Sequence, residues 1–157
     1  MIRLMCVLFV LVVGIALYGC YGGDRSKQID LSEHKRLADY AIKINKNTGV
    51  KYYYPDGVAF DYGHLISSID IDSKFKIYSA DIHSLVNKLK SMKSSIAIGN
   101  GYVSFYYHGD ALGSDEFYVI VNNNRWLDSF KADNNRIGLH VTSVRKIDED
   151  WYYIVAD

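Results

Sequence analysis

Ser79-Ala80-Asp81-Ile82-His83-Ser84-Leu85-Val86-Asn87-Lys88-Leu89-Lys90-Ser91-Met92 decides the fold, both by its own pattern and by the change of pattern directly after it. Ile82, Leu85, Val86, Leu89 and Met92 recur at three- and four-residue spacing and so share one side of a helix. Ser79 suits its cap, Asp81 its positive first turn, and Lys88, Lys90 and Lys93 its negative end. The period then changes to two. Ser95–Ile98 and Tyr102–Tyr107 flank Gly99-Asn100-Gly101, a tight hairpin signal. Phe117–Val121 is a β-branched run stopped by Asn122-Asn123-Asn124, and Leu139–Arg145 and Trp151–Val155 flank the charged turn Asp148-Glu149-Asp150. From Ser95 onward the pattern predicts strands only. A helix that must bury one side, succeeded by a strand meander, predicts an α+β fold with an antiparallel sheet.

Working toward the amino terminus, Phe75–Tyr78 reads as a further strand. Tyr52-Tyr53-Tyr54, the turn Pro55-Asp56-Gly57 and Val58–Tyr62 read as a hairpin. Asp30–Asn45 carries Leu37, Tyr40, Ala41 and Ile44 on one stripe, has Asp30 and Glu33 at capping-box spacing, and stops at Asn47-Thr48-Gly49. The expectation is a single small domain over residues 29–157: an antiparallel β-sheet with two α-helices, at about 30–45 and 80–92.

The first 28 residues obey a different logic. Arg3 precedes an uncharged apolar run, Leu4–Leu17, which is fourteen residues long and short of the roughly 20 that span a bilayer. It closes on Leu17-Tyr18-Gly19-Cys20, with an aliphatic residue three before the cysteine and a small one just before it. This segment resembles the lipobox signal of bacterial lipoproteins. The resemblance implies that residues 1–19 are a signal peptide and that Cys20 is lipidated. It implies export, and with Tyr21 rather than Asp after the cysteine, the periplasmic side of the outer membrane if the source is Gram-negative. An uncleaved anchor is the alternative, because Leu4–Gly23 carries no charge. Residues 20–28 would be the lipidated cysteine and a tether reaching at most about 26 Å.

Beyond residue 19, 17 basic residues face 18 acidic ones, a net charge of −1, with no basic footprint for nucleic acid. Cys6 leaves with the signal and Cys20 carries lipid, so no thiolate remains for a disulfide or a metal. No cofactor and no metal is expected. HExxH, G-x-S-x-G and calcium-loop spacings are absent from the sequence.

Tyrosine is the unusual residue: 14 in the chain, clustered at 52–54, 106–107 and 152–153. Tyrosine buries much area at low entropy cost and keeps a polar tip, which suits recognition. It is also a good strand former. In Tyr102–His108, alternation places Val103, Phe105 and Tyr107 on one side and Tyr102, Ser104, Tyr106 and His108 on the other. The candidate binding residues are therefore Tyr102, Tyr106 and His108 on an open face, with Tyr52, Tyr53 and Tyr54 beside them. His108-Gly109-Asp110 could be half of a general-base pair, and Asp70 with Asp72 would share one side of an extended strand. Both also fit plain surface turns.

Two functions are expected on these grounds. The first is a membrane-anchored envelope lipoprotein that acts as a non-enzymatic binding module toward an envelope protein. An immunity or inhibitor protein is one form, by analogy of size and address. The second is an envelope hydrolase built on scattered His and Asp residues.

Overall fold

A computed structural model describes residues 29–107 and 115–157. Cys20 and the tether lie outside the described residues, as do His108 and Asp110. Asn100-Gly101 joins β4 (Ser94–Gly99) to β5 (Tyr102–Tyr107), and Gly101 sits at φ +90°, a conformation that glycine adopts at little cost. Pro55-Asp56 joins β1 (Tyr52–Tyr54) to β2 (Gly57–Ala59). β2 stops at Ala59, so Tyr62 leaves the sheet rather than ending a long strand. The other strands are β3 (Ile66–Ser67), β6 (Asp115–Val121), β7 (Val141–Lys146) and β8 (Trp151–Ala156). They form one eight-stranded antiparallel sheet in the order β3-β2-β1-β4-β5-β6-β8-β7. The fold is α+β, as the meander predicted, and Leu31–Asp157 form one compact unit.

Two long helices cover one face of this sheet. α1 (Leu31–Thr48) buries Leu37, Ala38, Ala41 and Ile44, and Gly49 at φ +76° ends it by donating its N–H to the Asn45 carbonyl at 2.7 Å. Tyr40 turns from the stripe and donates its hydroxyl to Asp81 at 2.6 Å. A short helix, α2 (Ile71–Phe75), and a 3-10 turn, Lys76–Tyr78, lead into α3 (Ser79–Met92), which buries Ile82, Leu85, Val86 and Leu89 as its spacing predicted. Ser79 does not cap α3; its hydroxyl donates back to the Lys76 carbonyl. The strand expected at Phe75–Tyr78 is helical because Ile71 and Phe75 are both buried at a four-residue interval. Asp70 therefore accepts from the Ser67 hydroxyl ahead of the helix, while Asp72 pairs with His83 at 3.0 Å, and the expected carboxylate pair does not form.

The expectation of strands only after α3 is corrected by α4 (Trp126–Asn135). Trp126, Phe130 and Asn134 fall at four-residue intervals and are all buried. α4 packs on the opposite face, where Tyr102, Phe117, Val119, Ile154 and Ala156 form a core with Trp126 and Phe130. The sheet centre is thus covered on both sides: Tyr102, Val103, Ser104 and Phe105 are consecutive and all buried. No helix among the described residues is long and apolar enough to cross a membrane.

Candidate functional site

Strand alternation sorts the tyrosines into two sets. Tyr53 faces α1, is fully buried, and donates its hydroxyl to the Ala41 carbonyl at 3.1 Å. Tyr52 and Tyr54 face the other way. The pairings Tyr52 with Ala97, Ala97 with Ser104, Ser95 with Tyr106 and Tyr106 with Phe117 place all of these side chains on the α4 side. Across the middle of that face the side chains are small: Ser95, Ala97 and Ser104. Tall ones stand around them, with Tyr52 and Tyr54 from β1, Tyr102 and Tyr106 from β5, and Tyr62 from the segment after β2. Asp115 and Phe117 of β6, Asn134 of α4, and Ile137 and Leu139 after it add to the lining. The difference in side-chain height leaves a cavity of about 360 Å³, inside the roughly 300–1,000 Å³ common for ligand sites.

Local packing fixes the walls. A Cβ on Gly99 would lie 2.1 Å from the Tyr102 ring, so the ring folds over a position that only glycine leaves open. From there the Tyr102 hydroxyl donates to Asp133 Oδ2 at 2.7 Å. The Tyr106 hydroxyl donates to Asp115 Oδ1 at 2.6 Å. The rings of Tyr52 and Tyr62 meet at 4.4 Å and 46°. Behind this pair lies a second, more polar recess of about 410 Å³ that includes Lys51, Asp133 and Arg136. Burial raises the pKa of Tyr102 and Tyr106 well above the ordinary phenol value, and the accepting carboxylates raise each further. Burial likewise raises Tyr52, Tyr54 and Tyr62, with the Tyr62 phenol adding to the effect on Tyr52. Every tyrosine of the recess therefore keeps its proton at neutral pH.

The recess gathers Tyr52, Tyr54, Tyr102 and Tyr106 of the six expected binding residues. Tyr53 belongs to the opposite face, and His108 lies outside the described residues. The face expected to be open is not: Tyr102 is 2 % exposed, because α4 covers it. Sequence reasoning missed Tyr62, Asp115, Ser104 and Asn134. The signal for Ser104 was present in its alternation with Tyr102 and Tyr106, while Tyr62 and Asn134 come to the site only through tertiary packing.

None of the described histidines lines this cavity. His34 is buried against Phe105 with Nε2 2.7 Å from the Tyr107 hydroxyl, His64 stands 3.4 Å from Asp61, and His140 stands 3.2 Å from Asn135. Among the described residues, no group of three His, Cys, Asp or Glu side chains is placed to hold a metal. A larger groove, about 760 Å³, runs between α1 and α3. Its lining mixes charges of both signs, including Arg36, Asp39, Lys43 and Lys88, with Tyr40 its one aromatic. No protein family matches this chain, and no curated protein or solved structure is significantly similar to it.

Proposed function

We propose that this chain is a lipid-anchored, non-enzymatic binding module of the cell envelope, whose tyrosine recess receives a ligand or a projecting group of a partner. One observation carries the reading. Five tyrosines from three separate segments converge on a recess floored by Ser95, Ala97 and Ser104. Aromatic walls and a few placed polar groups are what binding sites are made of. Hydrolysis by acid–base catalysis needs a group that exchanges a proton near neutral pH at the reacting bond. The described lining offers protonated phenols and one carboxylate already engaged by Tyr106. Among the described residues no lysine or arginine lines the recess, which gives no support to a nucleic-acid ligand.

The address rests on Cys20 and the apolar run before it. Diacylation makes an anchor stable, whereas one chain gives only marginal binding. The domain would then face the envelope space, on the periplasmic side of the outer membrane in a Gram-negative source. An immunity or inhibitor protein remains one form of this reading. Two measurements test it. Labelled palmitate should mark the full chain and not Cys20→Ala; equal label in both removes the anchor. Envelope extract passed over the full chain should leave a bound species that is lost with Ala97→Leu, which raises the recess floor. Identical bound material on both proteins removes the recess as the binding site.

A further inference from the structure

We propose that the tyrosine recess binds an organic ammonium group bearing N–H donors on an apolar stem. This rests on the recess being a binding site and names what it takes. Charge is the first argument. Among the described residues that line the recess there is no lysine, arginine or histidine, and Asp115 is its one carboxylate. The faces of five phenol rings add negative quadrupole potential, which attracts a cation placed over them.

The second argument counts protons. Tyr102 has committed its only hydroxyl proton to Asp133, and Tyr106 has committed its own to Asp115. Asn134 is 4 % exposed and donates its amide N–H to the Phe130 carbonyl at 2.8 Å. Its side-chain oxygen is an acceptor, and Asn134 lines the recess. Ser104 is 3 % exposed, and its hydroxyl can both donate and accept. The two phenol protons nearest the carboxylates are therefore spent, while Asp115 and the Asn134 oxygen remain as acceptors. A carboxylate and an amide oxygen at the edge of a recess are met best by a ligand that brings protons. An anion would meet a carboxylate, ring faces and more acceptors. A neutral polyol could pair with the Tyr54, Tyr62, Ser95 and Ser104 hydroxyls but would leave the ring faces and the Asp115 carboxylate without a cation. A quaternary ammonium would satisfy the rings but bring no proton to the Asp115 carboxylate or the Asn134 oxygen. A primary or secondary ammonium satisfies both the rings and the acceptors, and its stem covers Phe117 and Ala97. A free amine and the lysine side chain of a partner protein both carry this chemistry.

Isothermal titration of the detergent-solubilised full chain separates these readings. The probes are n-hexylammonium, n-hexanol, hexanoate and a lysine-containing acetylated tripeptide. Hexylammonium should bind at least about ten-fold more tightly than hexanol, and hexanoate should not bind. Asp115→Asn should weaken hexylammonium about ten-fold and leave hexanol unchanged. Ala97→Leu should remove both, and Ser104→Leu serves the same purpose if the first variant does not fold. Tighter binding of the tripeptide than of hexylammonium identifies a partner's lysine as the source; the reverse order identifies a free amine. Equal binding of hexylammonium and hexanol, or no effect of Asp115→Asn, overturns the ammonium assignment while leaving the recess as a binding site. Binding that survives both floor variants, or no binding by any probe, overturns the two together.

Discussion

Replacing Phe130 by alanine tests whether α4 truly seals the second face of the sheet. Phe130 is fully buried, and its ring meets Tyr102 at 5.3 Å and 71° and Phe117 at 5.2 Å and 86°. Truncating a buried phenylalanine costs about 3–5 kcal/mol. The floor beneath it is a hydrogen-bonded sheet that cannot collapse into the space, and two edge-to-face ring pairs are lost, each contributing about 0.5–1.5 kcal/mol. The upper part of the range, about 4–5 kcal/mol, is therefore expected, against a total near 5–15 kcal/mol. With a urea slope of about 2 kcal/mol/M, the unfolding midpoint should fall by roughly 2 M. Ile77→Ala is the control: that side chain is 88 % exposed, and its loss should stay within about 0.5 kcal/mol. Urea unfolding monitored by tryptophan fluorescence reads both, since Trp126 rides on the same helix. A loss below about 1 kcal/mol for Phe130→Ala would refute the two-sided burial of the sheet, and with it the seating of Tyr102 beneath α4.

Two further outcomes are expected. Tyr40 has its pKa pushed up to about 12, by burial first and then by the Asp81 carboxylate that accepts its proton. An unfolded tyrosine titrates near 10, so above about pH 10 the unfolded chain releases protons that the folded chain keeps. Stability is then intact below about pH 10 and falls as pH rises toward 12, with Tyr52, Tyr53, Tyr102 and Tyr106 shifted in the same direction. Urea midpoints measured from pH 8 to 12, beside tyrosinate absorbance, should show that loss; an unchanged midpoint across the range contradicts it. Gly99→Ala should push the Tyr102 ring off its seat and break the bond to Asp133, costing about 1–3 kcal/mol. Thermal melting reads this change, and an unaltered melting temperature would mean that the ring is free to move aside.

The α+β class was legible because the two long helices have clean stripes and the hairpins have strong turns. Leu85 and Leu89 repeat at the right interval, and Asn100-Gly101 leaves little choice of turn. α4 was not legible in the same way. Its buried set is Trp126, Phe130 and Asn134, only two of them apolar, and the run is short and carries two aspartates, Asp128 and Asp133. Missing it changed the meaning of β5. Alternation separates two faces but does not say which is covered, and here both are. Four of the site tyrosines were found because aromatic residues cluster visibly in sequence. The small residues that floor the recess were not found, because Ser95, Ala97 and Ser104 become informative only when two strands set them side by side.

The strand order has a consequence for how the site assembles in time. β4 and β5 join across two residues, and β5 and β6 are neighbours in sequence as well as in the sheet. β1 joins β4 through the pair Tyr52 with Ala97, which closes 45 residues of chain, the longest closure of any pairing in the sheet. Loop closure grows more costly with length, and non-local pairings wait on local ones. The floor of the recess and its Tyr102–Tyr106 wall thus belong to the quickly formed part of the molecule, while Tyr52 and Tyr54 arrive with the slowest pairing. A chain partway through folding would hold half a recess, and ligand affinity would report the last step of folding rather than the first.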